Sequence, residues 1–460
     1  MLWAAEEFAQ VNLGDSRLND RLRYCGELLS RAPQASIPEV CQDWASTKGV
    51  YRLLSNPRVS SEAILSAHVE RTLARCAGER EVLCIGDTTD VNVSRDCPAV
   101  GVGGMSEKSM RGFYAHVVIA VTPECHHLGV LQNTWIVRDP KAMGKKSKNS
   151  RAFPIQEKES VRWLNDFIHV NQLALARPEI DFYYIADRES DIIELLRSAK
   201  GATANLIIRS RSNRLLEGGG KVHDVIAQAP IIGQVSVKIP RARQREKRTA
   251  TLELRAKSLA LRAPKRPGRR GEPLTINVIE AREINTPKGV KPVSWILYTF
   301  CPIDTAEHLV AILKRYVCRW QIEVYFRVLK EYSQIESLRL DHIDRLQNCI
   351  ALYMVISWRV MHLMTTARQY PDQPCNDILQ PSEWKLAWVL KHKKPPPQKT
   401  PTNREIVRLI AQLGGFLARK CDGEPGAKTI WRGLEKLNIM NDAVQAVQSM
   451  GMKRGDVDNE

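Results

Sequence analysis

The chain has no CxxC pair and no regular spacing among its eleven cysteines. That excludes a disulfide framework and a structural zinc site of the usual ligand spacing, and it fits a reducing compartment. Cys125-His126-His127 sets three possible ligands side by side, without the spacing a metal needs, and reads as a turn between strands. The N-terminal run from Met1 to Glu7 lacks a basic n-region and an apolar h-region, so no signal peptide is expected. Nor is there a clean bilayer span. The most apolar stretch, Cys349 to Met364, is interrupted by Ser357, Arg359 and His362 and reads as a buried helix. The expectation is a soluble cytoplasmic protein with no membrane partner.

Negative charge is also scarce. Lys and Arg outnumber Asp and Glu by 68 to 51, a formal net charge of +17, and the excess is spread along the chain rather than held in a tail. A folded protein this basic is expected to meet a polyanion, because each neutralised phosphate releases condensed counterions. A length of 460 residues is ample for two or three domains.

Residues 1–77 read as helices. Asp15 can cap one that carries Arg17, Leu18, Arg21 and Leu22 and breaks at Pro33; Asp43 to Leu54 is a second and Ser60 to Cys76 a third, after an Asn56-Pro57 turn. From Glu81 the texture changes. Val82 to Gly86 is a short strand ending at Asp87-Thr88-Thr89-Asp90, followed by β-rich runs Phe113 to Val121 and Leu128 to Val137. A lysine-rich loop, Lys141 to Lys148, leads to a helix from Ile155 to Leu175. The strand Ile180 to Ala186 then ends in Asp187, and Ile192 to Ala199 (helix) and Ala204 to Ile208 (strand) follow. That order predicts an α/β layer with a mixed sheet over residues 78–214. Residues 215–300 break the pattern with β-rich pieces around basic runs at Arg241 to Arg248 and Lys265 to Arg270, a β-rich insertion. Helices resume over 301–370. A cationic, proline-rich linker at Lys391 to Pro397 lies within a helical C-terminal region, 371–460, whose Leu434, Leu437, Met440, Val444 and Val447 form an apolar stripe for a partner helix or for this chain's own core.

The window from Asp304 to Tyr332 holds neither Gly nor Pro and predicts one helix. On it Tyr316, Arg319, Glu323 and Lys330 recur at steps that return to one direction at 100° per residue, giving a stripe of a phenol, two cations and a carboxylate. Taken alone, the stripe is equally a solvated face with a Glu–Lys pair. Asp87 and Asp187, each at a predicted strand end, change that balance. With Glu323 packed across the sheet they would make three hard oxygen donors suited to two Mg²⁺ ions, with Mn²⁺ able to substitute, and capable of phosphodiester chemistry.

These residues resemble the DDE transposases of the insertion-sequence-four family, relatives of the transposase of bacterial transposon five. Tyr316-x2-Arg319-x3-Glu323-x6-Lys330 reproduces the family's Tyr-Arg-Glu-Lys motif. Asp87-Thr88-Thr89 and Asp187-Arg188-Glu189-x-Asp191 look like its two aspartate motifs, and Leu13-Gly14-Asp15, Gly49-Val50-Tyr51-Arg52 and Leu413-Gly414-Gly415-Phe416 have counterparts too. The resemblance implies a ribonuclease-H-like catalytic core with a β-rich insertion, flanked by an N-terminal helical DNA-binding domain and a C-terminal helical dimerisation region. It implies that Asp87, Asp187 and Glu323 hold the metals and that Tyr316, Arg319 and Lys330 grip transposon-end phosphates. Arg209 would be a further phosphate contact, Trp295 would stack on a flipped base, and Arg17 and Arg21 would read the end sequence. Trp295 also fits as a core residue of its apolar strand, and Phe326 stands where some relatives carry a polar residue. The expected partners are double-stranded DNA, as transposon end and target, and a second copy of the chain, in a bacterial nucleoid-associated setting. Two other readings stand beside cut-and-paste transposition: a catalytically silent DNA-binding regulator, and a metal nuclease or resolvase on the same core.

Overall fold

The computed structural model describes residues 3–105, 110–139, 153–239, 248–263 and 271–449. The lysine-rich run from 141 to 148, the basic run from 265 to 270, and that from 241 to 248 except Arg248, lie outside the described residues.

The N-terminal helices form where capping residues satisfy their first amides. In α2 (Ser16–Arg31) the Asp15 carboxylate accepts from the Arg17 amide, in α4 (Trp44–Leu54) Asp43 accepts from Ser46, and in α5 (Ser61–Cys76) Ser60 accepts from Ala63. Two further helices escaped the sequence reading, α1 (Trp3–Glu7) and α3 (Ile37–Cys41). The second carries a capping box from Ser36 to Glu39, a signal that begins one residue before the five-residue helix.

A ten-stranded mixed sheet follows. Its first strand, β1 (Glu81–Val93), pairs antiparallel with β3 (Arg111–Val121), whose outer edge carries β4 (His127–Ile136) and the short β2 (Gly103–Gly104). On its other side β1 pairs parallel with β5 (Asp181–Ala186), and β5 pairs parallel with β6 (Asn205–Arg209). The β-rich segment does not form a separate sheet. Its last strand, β10 (Ser294–Thr299), pairs antiparallel with β6, and β9 (Leu274–Ile284), β8 (Arg248–Leu261) and β7 (Ile231–Ile239) extend the same sheet outward. One face of the sheet is covered by α6 (Val161–Ala176) and α7 (Ile193–Ala199), whose Trp163, Phe167, Leu195 and Leu196 are buried against Val82, Cys84, Phe182 and Leu206. A short helix, α8 (Val222–Ile226), precedes β7.

The other face packs against the helices that complete the chain. The uninterrupted helix expected over 304–332 is three pieces: α9 (Ala306–Val317), α10 (Trp320–Arg327) and a π-turn at Val328–Tyr332. At the first break the backbone tightens to three-residue bonds, with the Arg319 amide donating to Tyr316 O and the Ile322 amide to Arg319 O. At the second it widens, the Ser333 amide donating to Val328 O. Cys318 at the first break is disulfide-bonded to Cys125. The pair lies 193 residues apart in sequence, so no local spacing announced it.

The apolar run at 349–364 lies inside α11 (Ile343–Gln369), a helix long and apolar enough to cross a membrane but with 94% of that window buried inside the protein. The C-terminal region adds α12 (Pro381–His392), α13 (Asn403–Leu413) and α14 (Ala427–Ser449). The apolar stripe of α14 divides. Leu434 and Leu437 are buried in this chain's core, while Met440 and Val444 are exposed together with Ile439 and Val447.

A buried polar cluster binds the N-terminal helices to the sheet. Glu7 of α1 accepts from both Nη atoms of Arg75 and pairs with His68 Nδ1 at 2.5 Å, while the Val130 amide of β4 donates to His68 Nε2. The imidazole is therefore the neutral Nδ1–H tautomer. Arg75 Nε also donates to Leu128 O of β4.

Candidate active site

β1 and β5 run parallel in a register that pairs Gly86 with Ala186. The next residue on each strand is an aspartate, so Asp87 and Asp187 emerge side by side. Asp87 does not end its strand as expected. β1 continues to Val93 along β3, because Thr88, Thr89, Val91 and Val93 suit an extended backbone better than the turn suggested by two close aspartates. Asp187 does end β5. It caps the turn that follows, its Oδ1 accepting from the Glu189 amide at 2.7 Å.

Glu323 lies on α10 and reaches the same place. Arg319 joins the two elements: its Nη1 donates to Asp87 Oδ2 at 3.1 Å, and its Nη2 pairs with Glu323 Oε1. Burial pushes the Asp87 carboxyl up to about 6, the neighbouring Asp187 and Glu323 push the same way, and Arg319 opposes them. Burial works against the charge of Arg319, but Tyr316, Asp87 and Glu323 outweigh it and hold the guanidinium above its ordinary value. Three acidic side chains separated by up to 236 residues (323−87) thus share one electrostatic site.

Among the described residues no group of three or more His, Cys, Asp or Glu is set to cage an ion. Arg319 stands between Asp87 and Glu323 and pairs with both. The donor set, two aspartates and a glutamate with a buried carboxylate among them, is of the hard-oxygen kind that suits Mg²⁺ or Mn²⁺.

The other sequence-predicted residues fall into three groups. Tyr316 is buried beside Arg319, its hydroxyl pushed up by burial, and it meets Trp295 edge to face with ring centroids 5.8 Å apart. Trp295 is half-buried on β10, and Arg209 at the end of β6 donates to Ser294 O and lends its charge to Tyr316. Lys330 falls on the π-turn and turns to Asp90 at 3.0 Å and Glu336 at 3.1 Å, away from the Arg319–Glu323 pair but on the strand that carries Asp87. Arg17 and Arg21 are not at this site. They line a cavity of about 530 Å³ between α2 and α4, with Asp15, Lys48, Arg52 and Arg58. Gly49 of α4 lets the Arg21 guanidinium lie close over the helix, where a Cβ would come within 2.9 Å of Nη1 and shift that side chain.

Sequence reasoning missed the wall of the main site. Asp87 and Asp187 open on a cavity of about 500 Å³ also lined by Asp90, Tyr114, Arg138, Glu159, Arg162 and Glu189. Asp90 stood in the quoted Asp-Thr-Thr-Asp run; Arg138, Glu159 and Arg162 flank the lysine-rich loop and had no motif to mark them. Lys48 and Arg52 were visible as an i,i+4 basic pair around the Gly49-Val50-Tyr51-Arg52 run.

The raised Asp87 carboxyl has a consequence for stability. An acid whose folded value lies above its ordinary 3.8 favours the folded state fully only below that ordinary value, and the benefit is lost as pH rises through about 6. In metal-free protein Asp87→Asn is therefore expected to raise the melting temperature at pH 8, by up to about 3 kcal/mol of stability for a gap of about two pKa units. Little change is expected at pH 3.5. Calorimetry in chelator at the two pH values checks this; a lower melting temperature at pH 8 contradicts it.

Two family comparisons bear on this chain. Residues 1–59 match the model described as transposase DNA-binding, and residues 355–452 match the transposase Tn5 dimerisation domain. Among solved structures, the chain is similar to the piggyBac transposase in its synaptic complex with hairpin DNA, at 10% identity and a TM-score of 0.35, over 84% of this chain and 67% of that one. The two domain matches support a DNA transposase that binds DNA and forms a dimer.

Proposed function

We propose that this chain is a cut-and-paste DNA transposase of the insertion-sequence-four type, whose active carboxylates are Asp87, Asp187 and Glu323. The observation that carries the reading is the Arg319 bridge, which brings Glu323 of α10 to Asp87 of β1 beside the parallel partner Asp187. The strand order β4-β3-β1-β5-β6, antiparallel then parallel, supports a ribonuclease-H-like core.

Asp87, Asp187 and Glu323 would hold two Mg²⁺ ions, which when bound supply activation of the attacking oxygen and stabilisation of the leaving one. Arg319, displaced from its two carboxylates, is then available to a phosphate, with Tyr316 holding it from behind. Lys330, tied to Asp90 and Glu336, keeps a cation beside the same strand for the DNA backbone. Trp295, half-buried against the edge of Tyr316, would offer an aromatic face to offset the unstacking of a base turned out as the end closes into a hairpin. The cavity between α2 and α4 would take the transposon end, and the exposed apolar face of α14 would take the second copy.

A labelled transposon-end duplex incubated with protein and Mg²⁺ tests the reading. The expected products are a nick and then a hairpin, resolved on a denaturing gel. Cutting with no hairpin and no joining to a target would leave a nuclease; end binding without any cutting would leave a regulator.

Lys48→Ala and Arg52→Ala each remove an exposed cation from the α2–α4 cavity. Each is expected to weaken end binding and to flatten the plot of log affinity against log salt by about 0.9 for each phosphate that is no longer neutralised. A fluorescence titration at several salt concentrations gives the slope; unchanged slopes would place the DNA elsewhere.

A further inference from the structure

Behind Asp87 the sheet conceals a second polar arrangement that the reaction above does not use. Thr88 points to the opposite face of β1 from Asp87, towards α6, and its cross-strand partner on β3 is His116. Thr88 Oγ1 lies 2.7 Å from His116 Nδ1, and His116 Nε2 lies 2.6 Å from Asp166 Oδ2 on α6. The imidazole is fully buried and the carboxylate is 1% exposed. Tyr184 of β5 donates to the same Asp166 oxygen at 3.1 Å. Gly86 makes room for them, since a Cβ would come within 2.7 Å of the Tyr184 hydroxyl and 3.2 Å of the Asp166 carboxylate.

The direction of each bond follows from the two ends. Arg162 Nε can only donate, and it donates to Thr88 Oγ1 at 3.2 Å. At the other end the Asp166 carboxylate accepts from His116 Nε2–H, which leaves Nδ1 of the neutral ring as an acceptor for the Thr88 hydroxyl proton. The Thr88–Arg162 end of this chain of bonds reaches the candidate active site, and the Asp166 end is anchored in the core. The Thr88 amide donates to Asp87 Oδ1 at 2.8 Å, and Arg162 donates through Nη2 to Glu189, whose own amide holds Asp187 Oδ1. Burying a carboxylate and an imidazole among Trp163, Phe167 and Tyr184 is expensive, and apolar side chains would fill the space at no such cost.

We propose that Thr88, His116 and Asp166 form a positioning relay, which fixes the Asp87 carboxylate and the Arg162 guanidinium relative to Asp187. The inference rests on the reading of Asp87 and Asp187 as the carboxylates of DNA cutting. Partners that orient metal-binding side chains are felt at about 10–100-fold in metal affinity or rate. Thr88→Val keeps the shape and removes the hydroxyl; Thr88→Ser restores it.

The test uses the full chain and three measurements: Mn²⁺ binding to the DNA-free protein by electron paramagnetic resonance, kcat and KM for end cleavage, and the melting temperature. The expected result for Thr88→Val is a fall of about 10–100-fold in kcat and a comparable loss of Mn²⁺ affinity, with KM for the end unchanged and both losses largely recovered in Thr88→Ser. Asp166→Asn, which keeps an acceptor for the imidazole, should show the same pattern more weakly and serves if the valine variant does not fold. Folded Val or Asn variants that cut and bind Mn²⁺ like wild type overturn the relay, as does a loss that follows the melting temperature and is not recovered by serine. Wild-type protein that neither cuts DNA nor binds Mn²⁺ defeats the functional reading itself, and an active wild type with indifferent variants defeats the relay alone.

Discussion

Glu323→Gln is expected to abolish Mg²⁺-dependent cutting of a transposon-end duplex, by about 10³-fold or more, while the duplex is still bound. The magnitude is that of losing one group aimed at charge developing in the reaction. Asp87→Asn and Asp187→Asn should do the same, and any two of the changes combined should cost hardly more than one, because groups that act as a unit are not additive. The expectation is specific because Glu323 touches only Arg319 among the site's charges, so the glutamine variant keeps its helix and loses a carboxylate without opening a cavity. Binding is expected to survive, since the α2–α4 cavity lies apart from α10. Rates from a quenched time course, with affinities from gel shift, separate the two. Cutting reduced only a few-fold would remove Glu323 from the chemistry and leave it as a partner that orders Arg319.

The second large effect concerns folding. Glu7→Gln should destabilise the protein by about 3–5 kcal/mol, because it strips the counter-charge from Arg75 in a largely buried site. It also replaces one of the two acceptor oxygens shared by Arg75 and His68 with an NH2 that faces a donor. Burial would raise the Glu7 carboxyl, but His68 and Arg75 together outweigh it and hold it down to about 2. A carboxyl depressed in this way stabilises the fold at every pH above its ordinary 4.5, and the contribution is lost as pH falls towards 2. The gap between wild type and Glu7→Gln should therefore be wide at pH 7 and close in strong acid. Denaturant unfolding at both pH values reads it; equal midpoints at pH 7 would show that the cluster contributes nothing net. Because Glu7 sits on α1 and Arg75 also binds β4, the same variant is expected to loosen the N-terminal helices from the sheet.

Much of the site was legible because the sheet keeps sequence offsets. Asp87 and Asp187 are 100 residues apart, and so are Gly86 and Ala186, the last pair of the β1–β5 ladder; two apolar runs each closed by an aspartate were enough to put the carboxylates together. The caps at Asp15, Asp43 and Ser60 are local chemistry and were equally readable. Of the stripe expected on one helix, Tyr316, Arg319 and Glu323 still adjoin, although the helix breaks at Cys318 between the first and the other two. Its last member was displaced because a π-turn changes the angular step, and nothing in Val328 to Tyr332 announces one. The break at Cys318 accompanies a contact with Cys125 on a distant turn, so no window around residue 318 contains it. The β-rich segment was legible as strands and not as an extension of the core sheet, since pairing between Leu297 and Arg209 is decided by tertiary packing. His116 and Asp166 illustrate the same limit. Each is an ordinary polar residue in its own segment, and only the β1–β3 register and the placement of α6 bring them to Thr88.

The central claim is that Asp87, Asp187 and Glu323 serve one divalent-metal site, and anomalous diffraction from crystals of the protein–DNA complex grown in Mn²⁺ tests it most directly. The account predicts manganese peaks within coordination distance of all three carboxylates, with Arg319 moved off Asp87 and onto a phosphate. Manganese bound elsewhere, or an Arg319 still clamped between Asp87 and Glu323 beside a correctly seated DNA end, would contradict it.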